Sequence, residues 1–479
     1  MPTIHDGRPA VGIELGMGVA AVPQRFKPIR FSRAGIRGLR ASATLSINDR
    51  VRDLWAAGKN VYHLAFGESR FPVHPKVAEA LASSAQRRSY LPALGLPELR
   101  RTIAEYYRAK FGIDAAPEQV VVGPGSKSLI FSCMLALGEE VILPQPSWVS
   151  YGPQAHLMGK PVTYVPTRPE MNYELELNVL GHRIEEERAA WGNPEVFIVN
   201  SPKNPTGTMM HPEKVEALAH FAREHELMVL SDEIYAMTAF GAIPHVSMAR
   251  HYPEGTVVFG GLSKHLSLGG WRFGTAVLPN WSAGKRLAHA IENIAANIWT
   301  CVAAPVQYAA LAAYSNDPDI EEYIQLCTRM HGARTRFLFH TMERLGIPCV
   351  EPAGAFYVYP CFRKWHEQLS ARGIHTDEEL ALFLLERYEL ATLPGSAFHS
   401  AQEFCLRVSS SYIDASTDEC AETLLAAFRA DPDPDRFIER HHPRLHQVAE
   451  RFGEFVSDLE GTAARRAAAS SAVRAATAR

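Results

Sequence analysis

Lys264 is the side chain in this sequence with the clearest capacity for chemistry. An apolar run at residues 256–259 leads into a glycine-rich segment, 260–274, that contains both Lys264 and Arg272. A buried strand ending here would present a single amine at its tip, and a lysine in a partly desolvated pocket can hold an aldehyde as a Schiff base. A guanidinium nearby suits a phosphate. The pair therefore suggests pyridoxal phosphate (PLP), although a surface lysine in a glycine-rich turn is the alternative on this segment alone.

Polar groups of complementary kinds follow three other apolar runs. Gly125, Ser126 and Lys127 open a helix after one run, and backbone N–H groups at a helix start can hold a phosphate. Asn204 stands in a proline-rich turn, where its amide could contact a ligand or simply complete the turn. An acid at a buried strand end is costly without a cation, so Asp232 could hold a protonated pyridine nitrogen or, alternatively, cap a helix.

The elements that would position these side chains form an alternating pattern. Six apolar runs predict strands, and stretches such as 213–224 predict helices between them; the runs are 120–122, 140–143, 196–199, 227–230, 256–259 and 275–278. Continuous rather than alternating apolar runs indicate strands buried on both faces. We therefore predict an α/β large domain with a mostly parallel sheet between helices, and ligand groups at the carboxyl ends of the strands.

The remaining segments predict a smaller α+β domain built from the N- and C-terminal parts. We expect a flexible extension at 1–30, small-domain segments at 31–76 and 326–430, and the large domain at 77–325. Residues 431–435 read as a linker, and an amphipathic helix follows. The alanine- and arginine-rich end from Gly461 predicts disorder.

Four motifs in order resemble one family. Asn-Pro-Thr-Gly at 204–207, Ser-Asp-Glu-Ile-Tyr at 231–235, Ser-Lys with Gly-Trp-Arg-Phe-Gly at 263–274, and Arg-Val-Ser at 407–409 are similar to those of class I/II PLP-dependent aminotransferases with the aspartate aminotransferase fold (fold type I). The resemblance runs from about residue 40 to 428. It implies a PLP-dependent transfer of an amino group from an L-amino acid to a 2-oxo acid by ping-pong chemistry. It also implies a homodimer with active sites at the subunit boundary.

The resemblance implies a role for each matching residue. Lys264 resembles the Schiff-base lysine and proton shuttle, Asp232 the partner of the pyridine nitrogen, and Asn204 and Tyr235 the donors to the ring oxygen. The implied phosphate and ring contacts are Gly125, Ser126, Lys127, Arg272, Trp148 and, from the neighbouring subunit, Tyr90. The implied substrate contacts are Arg407 for the α-carboxylate, Gly67 and Asn204 beside it, and Phe356 in the pocket wall. Gly261 departs from the pattern, because many members carry Ser or Thr there as a phosphate ligand.

The substrate side chain is suggested by a weaker similarity. One branch of the family binds acidic side chains with a lysine in the phosphate-cup helix and hydroxyls near the N-terminus. Lys127, Ser42 and Thr44 resemble that arrangement, so aspartate or glutamate is the expected donor. Lys127 could instead be a solvated cation at a helix start.

Composition excludes several other classes. The formal net charge of −3 gives no basic field for nucleic acid, and no apolar stretch is long enough to span a bilayer. Seven scattered cysteines fit reduced thiols in a cytoplasmic protein. The alternative of a PLP-dependent lyase, oxidase or cyclase stays open, because the same residues serve those reactions. A transcription regulator is not expected, because the sequence shows no recognisable DNA-reading module. His441, His442 and His446 lack the acid or Cys partners of a metal site, so no metal is expected.

Overall fold

Seven strands form the central sheet of the computed structural model, which describes residues 43–138, 140–191 and 196–477 and omits the side chains of 43–46, 187–191 and 462–477. The strands are β2 (Val120–Gly123), β3 (Val141–Gln145), β4 (Val162–Pro166), β5 (Val196–Asn200), β6 (Met228–Asp232), β7 (Thr256–Gly261) and β8 (Gly274–Val277). Their order is β2-β8-β7-β6-β5-β3-β4, and only β8 runs antiparallel to its neighbours. The predicted mostly parallel sheet is confirmed.

Six of the seven strands coincide with the apolar runs of the sequence, and β4 was not predicted. All four described residues of β2 and all six of β7 are buried, as continuous apolar runs require. β4 lies at the edge of the sheet and its residues alternate between buried and half-buried. A short alternating segment that contains Thr163 and Tyr164 gives no continuous apolar run, so this strand escaped the pattern.

Helices cover the sheet. They are α2 (Pro75–Ser84), α3 (Pro97–Phe111), α4 (Ser126–Ala136), α5 (Tyr151–Leu157), α6 (Leu177–Trp191), α7 (Pro212–Glu224), α8 (Ser282–Ile298) and α9 (Ala304–Ala313). Pro97 stands in the first turn of α3, where its missing N–H costs no helical hydrogen bond. Short 3-10 turns at Pro117–Gln119, Pro169–Met171, Ala236–Thr238, Met248–Arg250, Gly269–Trp271, Arg363–Trp365 and Gly395–Phe398 connect several elements.

The N- and C-terminal parts of the chain join in smaller sheets, in agreement with the predicted α+β unit. Their elements are α1 (Ala43–Ala56), β1 (Tyr62–His63), α10 (Pro318–Arg344), β9 (Tyr357–Val358), α11 (His366–Ser370), α12 (Asp377–Tyr388), β10 (Leu390–Ala391), β11 (Leu393–Pro394), β12 (Leu406–Ser409) and α13 (Asp418–Ala430). β1 pairs with β10 in parallel, and β12 lies between β11 and β9 in an antiparallel sheet. The domain boundaries that we expect from the sequence stay predictions, and the extension at 1–30 lies outside the described residues.

Two further helices follow the proposed linker. α14 (Pro434–His441) begins within it, because Asp433 caps the helix by accepting a hydrogen bond from the Arg436 N–H at 2.9 Å. α15 (Pro443–Thr477) has the expected buried face, formed by Leu445, Val448, Phe452, Phe455, Val456 and Leu459. The helix continues to Thr477, through an alanine- and arginine-rich segment, and both residue types are strong helix formers. The disorder that we expect from Gly461 stays a prediction.

Candidate active site

The carboxyl ends of β5 and β6 bring Asn200, Asn204 and Asp232 together. The Asn200 side-chain NH₂ donates to the Asp232 backbone carbonyl at 2.8 Å, and its side-chain oxygen accepts from the Asn204 backbone N–H at 2.7 Å. Asn200 thereby holds the turn that carries Asn204 against the strand end that carries Asp232. Parallel strands gather ligand groups at this edge, as we expected from the sequence.

Lys264 follows β7 and projects its amine into the same region. Its Nζ donates to the Gly67 carbonyl at 2.7 Å and lies 5.4 Å from the ring centre of Tyr235 and 5.7 Å from that of Phe356. Desolvation, reinforced by the Arg407 charge, lowers the pKa of Lys264 to about 8. A lysine amine that loses its proton near neutral pH can act as a nucleophile or as a base.

Asp232 is a buried carboxylate, with only 4% of the residue exposed. Oδ2 accepts from the Tyr151 hydroxyl at 2.6 Å and Oδ1 from the Ile234 N–H at 3.2 Å. Burial raises the pKa of Asp232 to about 6, although these hydrogen bonds and the Lys264 charge act in the opposite direction. A cation placed against this carboxylate would offset the desolvation.

Arg407 lies on β12 with 3% of its surface exposed. One terminal nitrogen donates to the Asn204 side-chain oxygen at 3.1 Å and the other to the Ala65 carbonyl at 2.6 Å, while Nε has no partner among the described residues. Burial lowers the pKa of Arg407. Because the Asn204 oxygen faces Arg407, the NH₂ end of that amide is the one that can donate to a ligand. A buried guanidinium without a carboxylate partner in the described structure suits an anionic ligand.

Tyr235 and Tyr357 form one wall of this region. Their hydroxyls lie 2.7 Å apart, and the guanidinium carbon of Arg407 is 4.5 Å from the Tyr357 ring centre. A Cβ on Gly67 would lie 2.5 Å from the Tyr357 hydroxyl oxygen, so only glycine fits at that position. The structure therefore places Gly67 next to Tyr357 and Arg407, with its backbone open to the site.

The start of α4 faces Arg272. Gly125 precedes the helix with φ of +87°, and a Cβ there would lie 2.3 Å from an Arg272 terminal nitrogen. A Cβ on Gly274 would lie 2.2 Å from the Ser126 backbone nitrogen. These close approaches bring a guanidinium against the N–H groups of a helix start, which is a suitable seat for a phosphate.

Lys127 and Trp148 stand at the outer side of this seat. The Lys127 ammonium is 5.0 Å from the Trp148 ring centre, and that ring packs edge-on against Tyr151 at 5.1 Å. Since Tyr151 donates to Asp232, the chain of contacts joins Trp148 to the buried carboxylate. The ring-stacking role that the resemblance implies for Trp148 stays a prediction.

Two of the predicted site residues have no described side chain, and two others differ from the rest in exposure. Ser42 lies outside the described residues, and only the backbone of Thr44, in α1, is described. Tyr90 is 85% exposed. Phe356 is fully buried; its ring centre lies 5.6 Å from that of Tyr235 and 5.7 Å from the Lys264 amine, so it packs beside the site.

Sequence reasoning missed Tyr151 and Tyr357 as contributors to the site. Neither tyrosine has a spacing in the sequence that singles it out. Their roles depend on contacts with residues far along the chain, Asp232 for Tyr151 and Tyr235 for Tyr357.

The departure at Gly261 has a structural reason. A Cβ there would lie 2.7 Å from the Phe273 carbonyl oxygen. A serine or threonine would have to displace the backbone that leads from Arg272 into β8. This position therefore has no space for the hydroxyl side chain that many family members carry there.

Comparison with known proteins identifies the family. A model of the class I and II aminotransferases matches residues 59–424. The chain belongs to this family. Aspartate aminotransferase of Geobacillus stearothermophilus is 33% identical over 372 residues, which are 76% of this chain and 90% of that protein. The Bacillus subtilis enzyme is 31% identical and covers 85% of this chain and 98% of its own length.

Solved structures agree with the sequence comparison. The aspartate aminotransferase of Thermus thermophilus with maleate has a TM-score of 0.72 at 29% identity, covering 84% of this chain and 100% of that one. The aminotransferase described here therefore has the aspartate aminotransferase fold, and it is an enzyme that transfers amino groups between amino and 2-oxo acids. Members of its family generally depend on PLP. Within the described ranges, no helix is long and apolar enough to cross a membrane, and no group of three metal-binding side chains occurs.

Proposed function

We propose that this aminotransferase binds PLP at the carboxyl edge of the central sheet. The observation that carries the proposal is the convergence of three complementary groups: the Lys264 amine, the buried Asp232 carboxylate, and the α4 start beside Arg272. The buried amine and the buried carboxylate are both costly without a ligand. Burial shifts the pKa values of Lys264 and Asp232 toward their neutral forms, and Gly125 keeps φ of +87° to let Arg272 approach the helix start.

PLP, when bound, would supply an aldehyde and a ring that accepts electrons from the substrate α-carbon. The protein supplies the rest. Lys264 would take the proton from the substrate α-carbon and return one, which its low pKa favours. Asp232 would hold the protonated ring nitrogen, with Tyr151 fixing the carboxylate. Arg407 would bind the α-carboxylate with both terminal nitrogens, and Asn204 and Tyr235 would hold the ring oxygen.

Removal of the Lys264 side chain tests this role. We expect Lys264→Ala to lose turnover by at least the roughly 10²–10⁴-fold that a positioned proton-transfer group contributes. PLP absorbance should also lose the band of the lysine-bound cofactor, while Lys285→Ala, on the exposed face of α8, should leave both unchanged. Retention of most activity by Lys264→Ala would overturn the proposal.

The reaction outcome is amino transfer rather than elimination, oxidation or ring closure. Amino transfer predicts equal amounts of new 2-oxo acid and new amino acid, with parallel lines in double-reciprocal plots from the ping-pong cycle. Release of ammonia in proportion to substrate consumed would instead identify a lyase or an oxidase.

We propose aspartate or glutamate as the amino donor. Lys127 supports this, because its ammonium stands beside Trp148 at the open side of the cofactor seat and could meet a second carboxylate. Relatives named as aspartate aminotransferases are consistent with the choice. In a screen of amino donors, the Lys127→Ala substitution should raise KM for aspartate more than KM for alanine. An equal effect on both donors would contradict the proposal.

We also propose a homodimer in which Tyr90 serves the neighbouring site, and a cytoplasmic location. The 85% exposure of the Tyr90 side chain supports the first, because an isolated chain gains little from a tyrosine so placed. The seven free thiols are consistent with the second. Static light scattering tests the dimer.

A further inference from the structure

Cys361 and Cys405 face each other across two antiparallel segments. β9 and β12 pair with Val358 opposite Val408, and the same register continues to an isolated bridge that puts Cys361 opposite Cys405. The two cysteines are therefore direct cross-strand neighbours, although 43 positions of sequence lie between them.

Backbone hydrogen bonds define the kind of pair. The Phe362 N–H donates to the Phe404 carbonyl at 2.8 Å, and the Leu406 N–H to the Pro360 carbonyl at 3.0 Å. These bonds flank the cysteines and leave them as a non-hydrogen-bonded pair. Such pairs have Cα atoms about 4.5 Å apart, with side chains close together. That separation falls in the range of about 4.4–6.8 Å that disulfides require.

The two thiols differ in exposure and acidity. Cys405 is fully buried, whereas Cys361 is partly exposed and within reach of small solutes. The neighbouring Cys405 thiol lowers the pKa of Cys361, and the same proximity raises the pKa of Cys405. Cys361 is thus the thiol suited to react first, and Cys405 lies in position to react with it.

We propose that Cys361 and Cys405 are a redox site that closes reversibly to an intramolecular disulfide in response to hydrogen peroxide. The Cys361 thiolate attacks the peroxide, forming an S–O bond as the O–O bond breaks and water leaves. The Cys405 sulfur then attacks Cys361, so the S–S bond forms as the S–O bond breaks and a second water leaves. The two thiols lose two electrons and two protons, which the peroxide accepts.

The disulfide would link β12, the strand that carries Arg407, to the neighbouring segment after β9. Residues two apart share a face of a strand, so Cys405 lies on the face of β12 that carries Arg407, and Cys361 on the face of Tyr359 and Tyr357. Pro360 has no N–H and the Phe404 N–H donates to the Asp377 carboxylate, so the ladder lacks one hydrogen bond on each side of the cysteines. A disulfide at this point would join the two strands where backbone hydrogen bonds are missing.

Differential alkylation of the PLP-loaded full chain tests the site. After peroxide treatment the protein is unfolded, free thiols are blocked with one reagent, the disulfide is reduced with dithiothreitol, and the new thiols are labelled with a second reagent. We expect Cys361 and Cys405 to acquire the second label together, and a non-reduced digest to contain their two peptides joined. Dithiothreitol applied before blocking should restore the first label at both positions.

Variants separate this pairing from its competitor. Cys349 also lies near Cys361, whose N–H donates to the Pro348 carbonyl at 2.9 Å. Cys361→Ser should leave Cys405 as a free thiol after peroxide, whereas Cys349→Ser should leave the Cys361–Cys405 link unchanged. A Cys349–Cys361 link, oxidation of Cys361 to sulfinic acid with Cys405 still free, or no change at either residue would each overturn the proposal.

Discussion

Burial opposes the charged form of each ionisable side chain at the centre of the site. The pKa values of Lys264 and Arg407 are lowered and that of Asp232 is raised, in each case first by desolvation. A ligand that brings an anion to Arg407 and a cation to Asp232 removes both costs together. The unfavourable electrostatics of these residues therefore favour binding of a zwitterionic substrate and a protonated ring.

A substitution of Arg407 tests whether its two terminal nitrogens bind the substrate α-carboxylate, the arrangement that we call the substrate clamp. Lysine keeps the charge but cannot present two parallel N–H groups, so Arg407→Lys should lower kcat/KM for the amino acid by about 10–100-fold, the equivalent of one charged hydrogen bond of about 1.5–3 kcal/mol. Steady-state kinetics with donor and acceptor measure it. Arg223→Lys, at an exposed pair with Glu254, is the matched control, and equal effects of the two changes would contradict the clamp.

Asp232 predicts a pH dependence of stability in enzyme prepared without cofactor. Its pKa of about 6 lies above the ordinary value of 3.8, so the folded state holds the proton more tightly than the unfolded chain. The resulting stability is present below about pH 4 and is lost as pH rises through 6, with a total of about 3 kcal/mol.

Asp232→Asn should remove that dependence. An asparagine can accept from the Ile234 N–H and donate to Tyr151, so the hydrogen bonds survive. Urea unfolding should therefore show the variant gaining stability relative to wild type between pH 5 and pH 7.5. Asp53→Asn, at an exposed position of α1, should show no such gain. A constant difference across this range would rule out the buried ionisation.

Residue types in order were sufficient to predict the central cluster, because each chemical group follows its own strand. Asp232 ends β6, Lys264 follows β7 and Asn204 follows β5. The supporting tyrosines were not predictable in this way. Tyr151 and Tyr357 act only through partners that folding brings to them, and nothing in the local pattern of either segment distinguishes a site tyrosine from a core tyrosine.

At the scale of elements, continuous apolar runs identified the buried strands, and the amphipathic pattern identified the helix α15. β4 was missed because an edge strand is covered less completely and needs no continuous run. Composition alone does not separate disorder from a helix in the alanine-rich end of α15, so the disorder expected there stays a prediction.

α15 lies beyond the residues that the family model matches, and it contacts segments next to the small sheets. Arg444 donates to the Val61 carbonyl at 3.2 Å, next to β1, and Asp414 accepts from the backbone N–H groups of Arg444 and Leu445, both at 3.1 Å. The helix thus braces the segment that leads to Gly67. Its apolar face, fully buried at Phe452, supplies the packing.

Phe452→Ala should therefore lower the stability of the whole enzyme by about 3–5 kcal/mol, the usual cost of removing a buried aromatic ring. Thermal unfolding of the PLP-loaded protein measures the change. Ser457→Ala on the exposed side of the same helix should change it by less than about 0.5 kcal/mol. Similar melting temperatures for the two variants would mean that α15 does not brace the fold.

At the scale of the whole molecule, the shared site that we propose makes a prediction about mixed dimers. Tyr90 would act in the neighbouring subunit, while Lys264 acts in its own. Tyr90→Ala should weaken PLP binding about 10–100-fold through a lost hydrogen bond to a charged group, and Lys264→Ala should be inactive. Neither homodimer then has a complete site.

A heterodimer of the two variants has one complete site, because the Tyr90→Ala subunit provides Lys264 and the Lys264→Ala subunit provides Tyr90. Unfolding and refolding the two together, at a PLP concentration too low to load the Tyr90→Ala homodimer, should restore activity that neither variant has alone. Refolding each variant separately and then mixing controls for residual activity. If Tyr90 instead served its own subunit, the heterodimer would have no complete site and co-refolding would restore nothing, so the experiment separates a shared site from two independent ones.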